Sequence, residues 1–259
     1  MNKTALVTGA SGGIGLDIAE LLAGDGVDLI LIARNSGKLR EEQVRLSGKY
    51  NVSVNIIAAD LSQVESAITV HKEVHSTGLT VDYLINNAAF GVYGEFCDTD
   101  WAKEADMLSL NIFTLTHLTK LFLKDMLERG GGKIMNVAST AAFQPGPKMA
   151  LYYASKAYVL NFSEAIGNEL KDKNITVTAL CPGPTKTGFQ SAAGIEESRL
   201  VKGRRLPDSR EVAAYGLRAM MKGKAVAVPG LLNKFLVFCV RLSPRSLVVR
   251  VTRYVQDSR

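Results

Sequence analysis

Short apolar runs alternate along the chain with longer stretches whose apolar positions recur at helical spacing. Ala5, Leu6 and Val7 form the first run, and Ile14, Ile18, Leu21 and Leu22 follow at intervals that predict a helix. Val27 to Ala33 is apolar except for Asp28, the pattern of a parallel strand covered on both faces. Asn35 to Tyr50 predicts a polar helix, and Val54 to Ala59 a third strand running into Asp60. Ser62-Gln63-Val64-Glu65 has the spacing of a capping box and is expected to open the next helix. Val81 to Ile85 and Lys133 to Ala138 predict strands four and five. Between them, Asp98 to Arg129 predicts one long helix stopped by Gly130, Gly131 and Gly132. Leu151 to Lys173 predicts a helix, Ile175 to Leu180 a strand, Asp208 to about Lys222 a capped helix and Ala225 to Val228 a short last strand.

Strand and helix therefore alternate throughout, with no interior linker or repeat. That order predicts an α/β fold: a doubly wound parallel sheet of about seven strands, with right-handed crossovers placing helices on both faces. One domain is expected over residues 1–230. Residues 231–259 form a basic, apolar extension packed on or near it. In such a sheet, ligands bind beyond the C-terminal strand ends. The residues that follow strands here include Gly9 to Gly15, Arg34, Asp60, Asn86 to Ala88, Ser139 and Pro182-Gly183. They converge on one sheet edge.

Composition narrows the picture. With 259 residues, 47% of them hydrophobic and 22% charged, the chain is long enough for a large core and too apolar for disorder. A net charge of +6 favours anionic small molecules. No basic stripe with interleaved aromatics is present, so nucleic acid is not an expected partner. Cys97, Cys181 and Cys239 are odd in number and far apart, which suits reduced thiols in or near the core. No basic-then-apolar leader precedes the first strand, and a cytoplasmic location is expected.

Thr8-Gly9-Ala10-Ser11-Gly12-Gly13-Ile14-Gly15 lies between a predicted strand and a predicted helix. A glycine turn there leaves backbone N–H groups free at the positive helix end and lets a pyrophosphate approach closely. Further on, Tyr152 and Lys156 stand four apart on a predicted helix, one above the other. A phenol becomes a useful acid or base near neutrality when a cation stabilises its phenolate. Tyr153 is rotated about 100° from that register and cannot take the role. Ser139 ends a strand ahead of Tyr152 and can reach the same crevice.

These motifs, taken in order, resemble those of the short-chain dehydrogenase/reductase family, compact single-domain type. The resemblance covers roughly residues 3 to 190. It rests on the glycine turn, Asp60-Leu61, Asn86-Asn87-Ala88, Asn111, Ser139, Tyr152-x-x-x-Lys156, and Pro182-Gly183 with Thr187. It implies a Rossmann-like fold with Gly9, Ser11, Gly13, Ile14 and Gly15 at the cofactor pyrophosphate, and Asp60 and Leu61 at the adenine. Asn87, with Ala88, would brace the cofactor ribose region, and Thr187, beside Pro182 and Gly183, would meet the nicotinamide. Tyr152 would protonate a carbonyl oxygen as hydride reaches its carbon, and Ser139 would polarise that carbonyl. Lys156 would lower the Tyr152 pKa and bond the ribose, while Asn111 would hold a water linking Lys156 to solvent. Ala89 stands where the family commonly carries glycine, so the loop must adjust if that position needs a positive φ.

An acid ending the second strand would bind ribose hydroxyls and repel a 2′-phosphate. Here Ala33 and then Arg34 occupy that stretch, favouring NADP(H) over NAD(H). Phe90, Val92, Tyr93, Phe143 to Pro147, Met149 and Phe189 are expected to line a mainly apolar pocket for a lipophilic ketone or aldehyde. The expected activity is NADPH-dependent carbonyl reduction. Oxidative alcohol or steroid-type dehydrogenation is an alternative, as is a non-catalytic NADP(H) sensor or scaffold. The basic tail from Leu231 to Val255 is expected to cover the pocket, failing that to form a subunit interface, and failing that to touch an anionic membrane surface peripherally. The resemblance implies a homodimer or homotetramer through the long helices. His71 and His75 have metal-helix spacing without an identifiable third ligand, so no metal site is expected.

Overall fold

The structure, a computed structural model, describes residues 2–203 and 205–257. Seven strands form one sheet: β1 Thr4–Thr8, β2 Asp28–Ala33, β3 Val54–Ala58, β4 Tyr83–Asn86, β5 Gly132–Val137, β6 Ile175–Leu180 and β7 Val226–Ala227. The order is β3-β2-β1-β4-β5-β6-β7, and every neighbouring pair is parallel. The chain steps outward from β1 to β3, then returns to build β4 on the other side of β1. A crevice results beyond the ends of β1 and β4, where successive connections diverge.

The helices are α1 Gly13–Gly24, α2 Ser36–Tyr50, α3 Ser66–Ser76, α4 Trp101–Leu108, α5 Leu115–Arg129, α6 Ala150–Glu169, α7 Phe189–Ala193, α8 Ser209–Met221, α9 Leu231–Leu242 and α10 Arg245–Gln256. Strand alternation divides the core. Ala5, Val7, Leu29 and Leu31 pack on the face shared with α1 and α8, whereas Leu6, Ile30, Ile32 and Leu84 pack on the face shared with α3 and α5. Both faces are covered, which is why these strands are apolar at consecutive positions.

Several element ends differ from the sequence expectation, each for a local reason. The capping box does not form: α3 starts at Ser66, and the Ser62 hydroxyl donates instead to Asp60 Oδ1 at 2.9 Å. The long helix begins at Trp101, because the Asp100 side chain accepts the Ala102 N–H at 3.0 Å and sets the first turn. A π-helical turn over Ser109–Thr114 then separates α4 from α5. The fourth strand starts two residues late, since the Asp82 carboxylate accepts the Thr4 N–H. The helix expected to reach Lys173 ends at Glu169, and left-handed Asn174 turns the chain into β6. At the short last strand only Val226 and Ala227 pair with β6. Cys97 is exposed, contrary to the expected core position, while Cys181 is buried and Cys239 half-buried. The tail resolves into two amphipathic helices, α9 and α10, joined through Ser243-Pro244.

Candidate active site

A cavity of about 580 Å³ opens beyond the C-terminal strand ends. At one end the wall is the glycine turn between β1 and α1, with Arg34 from the β2–α2 connection and Lys38 from the first turn of α2 beside it. Gly9 has φ +67°, and a Cβ there would lie 2.7 Å from Asn87 Nδ2. Gly13 has φ +56° and faces the Thr187 side chain. A side chain at either position would fill the groove or strain the turn.

Thr8 ties the turn to the end of β4. Its Oγ1 accepts the N–H groups of Asn87 and Ala88 at 2.9 and 3.0 Å, while Asn87 Nδ2 donates to the Thr8 carbonyl at 3.0 Å. No side chain caps the first turn of α1. Open backbone donors at a helix N-terminus, a cradle without Cβ atoms and two exposed cations fit a phosphate-bearing dinucleotide.

Further along the same wall come Ser139, Tyr152 and Lys156. Ser139 caps the short helical turn Thr140–Phe143, its Oγ accepting the Ala141 N–H at 3.1 Å. Tyr152 lies on the first turns of α6, and burial pushes its phenol above the usual tyrosine range, with the nearby Ser139 hydroxyl pulling the other way. Lys156 is buried and donates from Nζ to the Val137 carbonyl at 2.8 Å; burial lowers its pKa to about 8. In the protein alone, burial thus outweighs the phenol acidification expected from the Tyr-Lys pair. The ammonium lies 5.8 Å from the Tyr152 ring centroid, its bond directed at the strand.

Asn111, in the π-helical turn, reaches toward the same region without lining the cavity. Its Oδ1 accepts the Phe90 N–H at 3.3 Å, and its Nδ2 donates to the Phe90 carbonyl at 3.0 Å and to Ser155 Oγ at 3.2 Å. It fixes the loop after β4 to α6.

Other candidates fall into two groups. Ser11, Ile14, Asn87, Ala88, Pro182, Gly183 and Thr187 all line the cavity. Gly15, Asp60 and Leu61 do not: Gly15 packs behind the turn against Asn87, Leu61 is buried in the core, and Asp60 is exposed and bonded to Ser62. Ala89 has an ordinary negative φ, so its methyl group causes no strain.

At the far end, Phe90, Met149 and Phe189 form the apolar wall, and the Phe189 ring lies 5.2 Å from that of Tyr152. Val92 and Tyr93 pack behind this wall, and Phe143 packs instead against the cluster around Leu115 and Val159. Among the wall residues absent from the sequence expectation, Lys38 lies one turn after Arg34 and Gln256 comes from the last turn of α10. Lys38 had a signal in its spacing; Gln256 had none.

His71 and His75 also acquire a partner that sequence spacing did not offer. Both Nε2 atoms lie 2.9–3.0 Å from Asp125 Oδ2, carried by α5.

The description "short chain dehydrogenase" matches the chain over residues 3–198. The chain is 35% identical over 189 residues to very-long-chain 3-oxoacyl-CoA reductase-B of Danio rerio, covering 70% of this chain and 59% of that protein. It is 35% identical to 17-beta-hydroxysteroid dehydrogenase type 3 of Mus musculus, covering 70% and 60%. The matched region thus spans about three fifths of each of these relatives. The solved structure of a short-chain dehydrogenase from Sphingobium yanoikuyae in complex with NADPH superposes with a TM-score of 0.83 at 29% identity, over 93% of both chains.

Proposed function

The chain belongs to the short-chain dehydrogenase family, and from that premise we propose that it is an NADPH-dependent reductase of a lipophilic ketone or aldehyde. The observation that carries this reading is the shared wall: Ser139, Tyr152 and Lys156 face the cavity whose other end is the glycine turn.

Bound nicotinamide would supply hydride to the carbonyl carbon. Tyr152, a phenol whose pKa burial raises further above neutrality, serves as the proton donor to the carbonyl oxygen. Ser139 orients the carbonyl through its hydroxyl. Lys156 places its ammonium beneath Tyr152 and opposes the negative charge that the phenol acquires on releasing its proton. Asn111 acts as a positioning residue through Phe90 and Ser155. The intact constellation disfavours a non-catalytic sensor. Oxidation of NADPH with lipophilic ketones tests the assignment. Tyr152→Phe is expected to lower kcat at least about a thousandfold while cofactor affinity persists. Unchanged turnover would refute it.

NADP(H) preference rests on Arg34 and Lys38 and on the absence of an acid at the end of β2. The substrate class rests on Phe90, Met149 and Phe189, and accords with relatives whose names describe acyl and steroid substrates. Self-association through the long helices belongs to the same reading, with Phe113 and Tyr158 exposed there.

We also assign the outer face of α9 and α10 to peripheral contact with anionic lipid. Leu231, Leu232, Phe235, Phe238 and Leu242 are exposed along α9. Lys234, Arg241, Arg245 and Arg250 accompany them, and no acid lies between Leu231 and Gln256. A two-fold contact between copies of this face would set like charges together, whereas a lipid surface satisfies both features. No helix of the described residues is long and apolar enough to cross a membrane.

A further inference from the structure

His71 and His75 stand one turn apart on α3, and Asp125 on α5 faces them both. Their Nε2 atoms converge on a single carboxylate oxygen, Asp125 Oδ2, at 2.9 and 3.0 Å. All three donor atoms lie within 4.8 Å of one another. None of the three residues lines the cavity, so the proposed reduction gives them no task.

Packing beneath the cluster holds it in place. Val70 and Val74 of α3 are buried with Leu118, Phe122 and Met126 of α5 in one core. The Phe122 ring meets that of His71 edge-on at 5.0 Å, and the two imidazole centroids are 4.3 Å apart. The side chains of His71 and Asp125 are 20% and 17% exposed, that of His75 55%. Two helices already locked through their apolar faces thus present two nitrogens and an anionic oxygen to one point at the surface, and little ordering opposes an ion that binds there.

We infer that His71, His75 and Asp125 form a binding site for a divalent transition ion of the zinc class, which clamps α3 to α5. Imidazole nitrogen joined by one carboxylate oxygen is a donor set that such ions accept, whereas magnesium and calcium favour oxygen alone. Zinc bonds of about 2.0–2.1 Å place neighbouring tetrahedral ligands about 3.3 Å apart, so the His–Asp separations need open only slightly. Each imidazole binds as the neutral tautomer, with its proton on Nδ1 and the Nε2 lone pair directed at the ion. Asp125 supplies the negative charge, and solvent beside the half-exposed His75 completes the shell. The third ligand is the decisive one: a histidine pair on one helix is a common surface feature, and a carboxylate from a second helix converts it into a site that bridges two elements.

Equilibrium dialysis of the chelator-stripped, tag-free full chain against Zn2+ tests this. One ion per chain is expected, with half-saturation at or below about 10 μM. Co2+ should bind the same site and give the visible absorption of a four- or five-coordinate ion, a signature that hydrogen bonds between the same side chains do not produce. His71→Gln, His75→Gln and Asp125→Asn each retain a hydrogen-bonding group yet lose a ligand or its charge, and each is expected to weaken binding by about tenfold or more. Cys97→Ser removes the exposed thiol and should leave binding unchanged. Zn2+ should raise the thermal unfolding midpoint of the wild type by several degrees and leave that of His75→Gln in place. His75 is exposed enough for that variant to fold, and an unfolding midpoint in chelator close to that of the wild type verifies it. Absence of saturable binding at or below about 10 μM, affinity that survives all three ligand substitutions, or affinity that is lost with Cys97 would overturn the site and leave these contacts as hydrogen bonds alone. No readout uses substrate or nucleotide, so the outcome is independent of the reductase reading.

Discussion

Lys156 on α6 donates from Nζ to the backbone carbonyl of Val137 at the end of β5, at 2.8 Å. The bond pins a buried ammonium to the sheet edge and sets the height of Tyr152 one helical turn before it. Val137 contributes only its carbonyl, which any residue would supply, so sequence could not mark it.

The same burial gives stability a characteristic pH dependence. The Lys156 pKa falls from the usual 10.5 to about 8 on folding. Between those values the unfolded chain binds more protons than the folded one, so stability rises with pH across this window; below about 8 the full cost of the buried charge is present. Comparing urea unfolding of the wild type and Lys156→Met at pH 7.5 and 9.5, the wild type should gain about 2 kcal/mol relative to the variant. A difference independent of pH would show that Lys156 is not buried as an ammonium.

Arg34 and Lys38 stand on the cavity wall next to the glycine turn. Charge reversal at Arg34 would meet a 2′-phosphate with repulsion while leaving ribose hydroxyls a new acceptor. Arg34→Glu is therefore expected to weaken NADPH binding by roughly ten- to a hundredfold and to leave or improve NADH binding, as measured by fluorescence titration. Retained NADPH preference would remove Arg34 from the cofactor assignment.

Phe122 lies 1% exposed on α5 within the core that faces β1, β4 and β5, and its ring meets His71 edge-on at 5.0 Å. Phe122→Ala leaves a void the surrounding helices cannot close, and a loss of about 3–5 kcal/mol is expected in denaturant unfolding.

The outer faces of α9 and α10 predict sedimentation with phosphatidylglycerol vesicles, reduced by about 0.15 M salt and absent with phosphatidylcholine alone. Replacing Phe235 and Phe238 with serine should abolish sedimentation. Concentration-dependent dimerisation lost in the same variant, without vesicle binding by the wild type, would instead mark this face as a subunit contact.

Local rules sufficed where a residue's role depends on its neighbours in the chain. The apolar runs at Leu6, Ile30 and Leu84 fixed strands because each must be covered on both faces, and the alternation of strands with helices then left few topologies open. The crevice followed from that topology. Thus the glycine turn, Asn87, Ser139, Tyr152, Lys156 and Thr187 were legible as one group before any distance was known. Tertiary structure decided what depends on encounters between distant segments. Gln256 meets Tyr93 across 163 residues of chain, and Asp125 meets His71 and His75 from another helix. Burial, which raises the Tyr152 phenol and brings Lys156 down to about 8, is likewise a property of the assembled core. Periodicity and spacing record which face a side chain takes on its own element; how deep it lies and what it touches are set only when the elements pack together.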